Sequence, residues 1–282
     1  MKFAINYSPQ AAVLIESGKI KIDYFKTPPW PDMIAEAEKL SPVAIHFNIR
    51  TAGIEAMRAK DWDAVEAFLS STSTAYVNTH LSVWAKEMPH IPVDDPPTQA
   101  HKDEVIERML ADLALMTARF GADRIIAENV PYHSEQNYHL RACIEPGVIS
   151  GVIDQAGCGF LLDISHALIS AHYIGMDPKS YMENLPVKAL RELHFTGIHS
   201  WDGYLQDHQS ILEQDWPWLD WVVEKVKTGA WGQPDLLAFE YGGTGDFFER
   251  FSDSAVIVEQ VPRLYQICHG LETFANVNIS IN

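Results

Sequence analysis

The sequence predicts an α/β protein, a single (β/α)8 (TIM) barrel over residues 1–282, and three observations carry that prediction. Short β-rich apolar runs alternate with longer helical stretches from end to end, with no strand-only or helix-only half. The length of 282 residues is close to the roughly 250 typical of the barrel. No Gly-rich phosphate loop follows the first strand, where Tyr7-Ser8-Pro9-Gln10 stands, and this argues against the alternative, a doubly wound open sheet.

Strands are expected at residues 2–6, 20–25, 43–48, 76–81, 124–129, 160–165, 190–196 and 236–241. Helices are expected between them at residues 31–40, 62–69, 104–120, 146–156, 178–185, 216–226 and 255–269. The helix over 104–120 has the clearest period, with Val105, Met109, Leu113 and Met116 on one stripe and Gly121 after its end. Asp177-Pro178 opens the one over 178–185. No internal repeat occurs. One long irregular stretch, 87–102, carries Pro89, Pro92, Pro96 and Pro97; such a connection is a lid, a binding loop or a plain surface excursion.

Composition narrows the function. A 47% hydrophobic share with 21% charged residues suits a globular chain with a sizeable core. No apolar run reaches the roughly 18 residues of a membrane span. The N-terminus turns polar at once, which argues against a signal peptide. Cys143, Cys158 and Cys268 are too few and too scattered for a disulfide framework or a Cys-based zinc knuckle, so the expected setting is a reducing cytoplasm. The net charge of −17 and the lack of a basic cluster count against nucleic-acid binding, which depends on neutralising phosphates.

The polar residues fall where a barrel keeps its chemistry, at the C-terminal strand ends. In order these are His46, His80, Glu128-Asn129, Asp163 with His166, His194, and Glu240, with Asp207-His208 in the loop after the seventh strand. Singly, each has a plain explanation: a hydrogen-bonded histidine, or a helix cap at Asp163. Together they do not, because buried carboxylates repel and desolvate at a cost of several kcal/mol each. Divalent cations remove that cost. Imidazoles at 46, 80, 166, 194 and 208 with carboxylates at 128, 163, 207 and 240, and no thiolate, suit iron, manganese or zinc rather than calcium or magnesium. That is more than one ion uses, so two or three divalent ions are expected.

Glu128, Asp163, His194 and Glu240, one on each of four successive strands, resemble the metal tetrad of the xylose isomerase-like TIM-barrel superfamily. With His46, His80, His166, Asp207 and His208 the set is similar to the trinuclear site of endonuclease IV. A longer match runs from Gly157-Cys158-Gly159-Phe160-Leu161-Leu162-Asp163 through Ser170-Ala171-His172 and Gly175-Met176-Asp177-Pro178 to Glu192-Leu193-His194-Phe195-Thr196-Gly197. It resembles the central block of the multinuclear non-haem iron-dependent oxidative enzymes. That resemblance implies two or three irons, dioxygen, and modification of cysteines in ribosomally made peptides, with a small partner protein that presents the peptide. The chain departs from that family in having Ser165-His166 where two asparagines are usual, and adjacent Asp207-His208 where Asp-x-His is usual.

The expected function is therefore oxygen-dependent oxidation of a peptide or thiol. His46, His80, Glu128, Asp163, His194 and Glu240 serve as ligands, and Asn129 or His199 contacts substrate or oxygen species. The acidic surface favours a basic peptide or partner. The alternative is a sugar or sugar-phosphate isomerase or epimerase in which Glu128 and Glu240 bind a metal and move protons. It leaves His46 and His80 without a task. Zinc-dependent phosphodiester hydrolysis suits the ligands but not the charge. That hydrolysis ranks last of the three activities, and a non-enzymatic reading, metal storage or a binding scaffold, requires the cluster filled with no open coordination position. Trp201, Trp216, Trp218 and Trp221 after the seventh strand line a pocket, an interface or the core.

Overall fold

The structure, a computed structural model, describes residues 1–52, 60–133, 139–244 and 252–278, with side chains through residue 270. In chain order the regular elements are β1 (Lys2–Asn6), α1 (Pro9–Glu16), β2 (Tyr24–Thr27), α2 (Pro31–Glu38), β3 (Val43–Ile45), α3 (Trp62–Ser71) and β4 (Val77–His80). There follow α4 (Gln99–Phe120), β5 (Ile125–Glu128), α5 (Arg141–Ile144), α6 (Pro146–Ala156), β6 (Gly159–Asp163), α7 (Ile164–Ile174) and α8 (Pro178–Glu183). The chain closes with β7 (Leu190–Phe195), a hairpin of β8 (Gly197–Trp201) and β9 (Tyr204–Gln209), α9 (Trp216–Lys227), β10 (Leu236–Phe239) and α10 (Ser254–Asn278). Two compact units emerge: Met1–His46 with Ser70–Thr74 and Glu192–Asn282, and Phe47–Leu69 with Ala75–Arg191.

In the first unit, β3, β2, β1, β10 and β7 pair in that order, all parallel. Partners in register share a sheet face, because side chains alternate along each strand. One face carries Ala4, Ala44, Ala238 and Leu236, a small-residue cluster with Tyr24 against it. On that same face stand Lys26, in register with Asn6 and Ala44, and Glu192 and His194, in register with Leu236 and Ala238. The alanines leave room for these long polar side chains. The opposite face is apolar, with Phe3, Phe25, Leu193, Phe195, Leu237 and Phe239 all buried.

In the second unit β4, β5 and β6 are parallel, with His80 opposite Glu128. The stripe expected on α4 is its buried face: Val105, Met109, Leu113 and Met116 are all 0% exposed. α4 starts at Gln99, earlier than the periodicity implied, because Thr98 caps it by accepting the His101 N–H (3.2 Å). The Pro-rich stretch before it is pinned to the unit. Tyr132 Oη donates to Asp94 Oδ1 (2.8 Å), and the Arg141 N–H donates to the Val93 carbonyl (2.9 Å).

Other elements depart from the sequence expectation for local reasons. α1 was unforeseen, yet Ser8 accepts the Ala11 N–H (3.1 Å) and Pro9 begins the helix, a regular start signal. The sixth strand stops at Asp163 rather than 165, because the Asp163 side chain caps α7. The hairpin after β7 turns at Asp202-Gly203, both at positive φ (49° and 84°), as its two-residue turn requires. The tryptophans divide among roles. Trp216 is buried with the Arg263 guanidinium 3.8 Å from its ring centroid, Trp221 packs edge-on against Trp231 (5.3 Å), and Trp201 is exposed on the hairpin. No helix among the described residues is long and apolar enough to cross a membrane.

Candidate metal centre

The second unit gathers His80, Glu128, Asp163 and His166. His80 and Glu128 end adjacent parallel strands, Asp163 ends β6, and His166 lies in the first turn of α7. Glu128 and Asp163 are 1% and 3% exposed. One carboxylate oxygen each from Glu128 and Asp163 and one His166 nitrogen lie within 4.8 Å of one another, close enough for one ion. Asn129 holds this corner rigid. Its amide donates to the Asp163 carbonyl (2.9 Å) and accepts the Asp163 N–H (3.0 Å). Both ends of the Asn129 side chain are therefore engaged by main chain.

The first unit gathers His46, His194, Asp207, His208 and Glu240. His46 Nδ1 lies 3.8 Å from Glu240 Oε1, and its ring centroid is 5.3 Å from that of His194. Burial pushes the Glu240 carboxyl up, but His194, His46 and His208 outweigh it and hold it well below the usual carboxylate range.

The adjacency of Asp207 and His208 has a structural answer. In a regular strand they would point to opposite faces. Here β9 bulges: Gly197 faces Gln209 and His199 faces Gln206, so Asp207 and His208 together oppose the single Ile198. His208 takes φ +57°, and the two side chains come to one side, with His208 Nε2 3.9 Å from Asp207 Oδ2. The His208 N–H donates to Thr196 Oγ1 (3.0 Å) and fixes the kink. His199 closes the hairpin base, its Nε2 donating to the Ser210 carbonyl (2.8 Å). Gln260 of α10 clamps the exit strand through both the N–H and the carbonyl of Ile211 (2.9 and 2.8 Å).

Three imidazoles share one design, and a fourth reverses it. His80, His166 and His208 each place Nδ1 on a main-chain carbonyl, of Ile49 (3.0 Å), Asn129 (2.8 Å) and Glu240 (2.7 Å). Nδ1 must donate there, which fixes the tautomer and leaves Nε2 with its lone pair. Nε2 then faces a carboxylate oxygen: Glu128 at 3.4 Å for His80, Asp163 at 3.5 Å for His166, Asp207 for His208. His194 is reversed, with Nε2 on Glu192 Oε1 (2.8 Å) and Nδ1 3.2 Å from Glu240 Oε1. Two ligands bonded at about 2.0–2.1 Å to one ion stand about 3.0–3.4 Å apart. These spacings are close to that, so the donors fit divalent metal.

Residues that the sequence reading missed support the set. Lys26 and Glu192 lie buried behind His194, with Nζ 2.5 Å from Oε1. Burial pushes the Glu192 carboxyl up, but Lys26 and His194 hold it down at about 2. A lysine inside an otherwise apolar strand, and a glutamate two residues before a histidine, were the available signals. His139 is a second omission. Its Nδ1 meets Ser82 Oγ at 2.6 Å, and burial, with His80 and His166 next in effect, pushes its pKa down to about 4. The thiols stand apart: burial pushes Cys143 up to about 12 and Cys158 to about 11, so neither offers a thiolate at neutral pH.

Comparison with known proteins places these observations. The family described as RiPP precursor modification enzyme MbnB/TglH/ChrH matches residues 23–231. A UPF0276 protein of Acaryochloris marina is 28% identical over 116 residues, 41% of each chain. One from Caulobacter vibrioides is 25% identical over 165 residues, 55% of this chain and 54% of the relative. The chain thus spans about half the length of these curated relatives. Among solved structures, D-psicose 3-epimerase from Clostridium cellulolyticum H10 superposes with a TM-score of 0.54 at 13% identity, covering 98% of this chain and 99% of that one. An L-ribulose 3-epimerase gives 0.55 at 14% identity, covering 100% and 98%. A xylose isomerase-like TIM barrel/4-hydroxyphenylpyruvate dioxygenase fusion gives 0.55 at 14%, covering 96% of this chain and 44% of the fusion. These likenesses show the fold, the xylose isomerase-like TIM barrel expected from the alternation of strands and helices.

Proposed function

The chain belongs to the MbnB/TglH/ChrH family of RiPP precursor modification enzymes, and from that premise we propose that it oxidises a thiol-bearing precursor peptide with dioxygen at a centre of two or three iron ions. The observation that carries this reading is the set of four tautomer-locked imidazoles, each with its remaining nitrogen 3.2–3.9 Å from a carboxylate. His80, Glu128, Asp163 and His166 hold one ion. His46, His194, Asp207, His208 and Glu240 would hold the second. Nitrogen and oxygen donors without sulfur suit iron, with manganese or zinc as the competing occupants.

When bound, the ions supply redox and Lewis-acid chemistry to dioxygen and to the substrate thiolate. The chain's own residues bind and orient. Asn129 fixes the main chain that presents Asp163, and the neutral His139 offers a hydrogen-bonding imidazole in the surroundings of His80 and His166. The net charge of −17 favours a basic peptide, presented by a small partner protein. The setting is a reducing cytoplasm, where Cys143, Cys158 and Cys268 stay thiols.

A second reading, a sugar epimerase, needs only Glu128, Asp163, His194 and Glu240, with the two glutamates moving protons beside a carbonyl. It gives His46, His80 and His208 nothing to do. The deciding experiment is elemental analysis of protein purified without added metal, with Mössbauer spectroscopy of any iron. Two or three irons per chain that react with oxygen support the oxidative reading, and H80A should then lose one ion and keep its fold. Zinc, manganese or a single ion per chain would refute it.

A further inference from the structure

His194 is the one imidazole of the four that is oriented by a side chain and donates through Nε2. Its partner, Glu192, sits two residues earlier on the same face of β7, so strand geometry alone brings the carboxylate beside the ring. Glu192 Oε1 accepts from both His194 Nε2 (2.8 Å) and Lys26 Nζ (2.5 Å). The side chains of Lys26, Glu192 and His194 are 3%, 7% and 0% exposed. Burying an ammonium and a carboxylate costs several kcal/mol per ion before their attraction is counted, and apolar residues of similar volume often serve stability as well. A stability role alone therefore leaves this pair without a reason.

The geometry points to Glu192 and Lys26 as positioning residues that hold His194 as an Nδ1 metal donor and set the charge it presents. The inference rests on the metal-centre reading above. The carboxylate draws on the Nε2 proton and makes Nδ1 a stronger base, as partners behind ligating histidines commonly do. The ammonium shares the same oxygen and moderates that pull. It also keeps the carboxylate ionised in a buried place. At hydrogen-bond distance His80, His166 and His208 each meet a main-chain carbonyl through Nδ1, whereas His194 meets a carboxylate that an ammonium also engages.

Two double variants keep the test clear of misfolding, because each removes both buried charges together. K26M/E192Q retains a neutral acceptor for Nε2; K26M/E192L retains none. The first readout is ring-nitrogen NMR of metal-free protein, with the His194 signal assigned by its loss in H194Q. Wild type should show His194 protonated at Nε2 and His80, His166 and His208 at Nδ1. K26M/E192L should lose that preference, and K26M/E192Q should keep it. The second readout is anaerobic titration with iron(II) alone. Affinity at the weakened ion should fall about tenfold in K26M/E192Q and up to about a hundredfold in K26M/E192L. A merely structural pair would change the melting temperature and neither readout. Wild-type His194 protonated at Nδ1, or unchanged iron(II) affinity in K26M/E192L, would overturn the inference. Wild type that binds no iron(II) would overturn the metal reading itself, a result distinct from equal binding by wild type and variant.

Discussion

Asp163 uses its two oxygens for two purposes, and two substitutions separate them. Oδ1 accepts the His166 N–H at 2.7 Å and caps α7, whose residues Ile164–Ala171 are all buried. Oδ2 lies 3.5 Å from His166 Nε2 and is the oxygen that the proposed ion would take. Asp163→Asn keeps a cap acceptor and removes the charge; Asp163→Ala removes both. Losing the cap costs about 1 kcal/mol, within a range of about 0.5–2, whereas Asn caps as well as Asp. At about 2–4 °C per kcal/mol for a chain of this order of size, the chelated Ala variant should melt about 2–4 °C below the chelated Asn variant. The chelated Asn variant should match wild type or exceed it, since a buried anion near Glu128 is gone. Iron(II) at a hundred times its dissociation constant should then stabilise wild type by about 2.7 kcal/mol, or roughly 5–10 °C. Both variants should lose most of that gain. Anaerobic thermal unfolding with EDTA or with iron(II) reads all of these values. An Asn variant with the full metal-dependent gain would refute ligation by Oδ2. An Asn variant that falls as far as Ala in EDTA would refute capping through Oδ1.

Asn129→Ala leaves the N–H and carbonyl of Asp163 buried without their side-chain partners; at about 1–3 kcal/mol each, urea unfolding should show a loss of roughly 2–6 kcal/mol, and a loss under about 1 kcal/mol would contradict the pairing. His139 has a folded pKa of about 4 against an ordinary 6.5, so its unfolded form takes up a proton first as pH falls. Stability should be full above about pH 6.5 and decline toward pH 4, by about 2 kcal/mol between pH 7 and 5. Chelated His139→Gln should show a correspondingly flatter pH dependence, and an unchanged slope would exclude His139 as its source. Gly197→Ala places a Cβ 1.8 Å from the Ser210 carbonyl oxygen; the hairpin base must open, and hydrogen exchange over residues 197–209 should speed up with a fall in bound metal.

Much of the architecture was legible because strand-end polarity interrupts strongly apolar runs. Leu161-Leu162-Asp163 and Leu193-His194 stand out against their neighbours, and each lies at or near the C-terminal end of a parallel strand. What lay hidden depends on pairing across sequence. Lys26 and Glu192 are 166 residues apart, and a lone strand lysine ordinarily signals an exposed edge. His139 sits outside any named strand or helix, and its bridge to Trp84 and contact with Ser82 join segments more than fifty residues apart. The Ser8-Pro9 pair carries a regular helix start, a capping hydroxyl followed by proline at the first helical position. The span of the Asp163 cap misled in the other direction, extending a strand over what is the first turn of α7.

The kink at His208 changes what kind of chelator the hairpin can be. Donors two apart on a regular strand are spaced by about 6.8 Å of backbone, and each can leave an ion separately. Asp207 and His208 are covalent neighbours whose side chains converge only while His208 stays at φ +57°. That conformation costs a residue with a Cβ of order 1 kcal/mol and lasts only while its surroundings impose it. The Thr196 hydroxyl, the Glu240 carbonyl and the Gln260 clamp do the imposing. Relaxation of that one dihedral angle would therefore part the two proposed donors and end their joint hold on an ion. Exchange at this position should follow the opening rate of the hairpin, as a gate follows its hinge, rather than the strength of either bond alone.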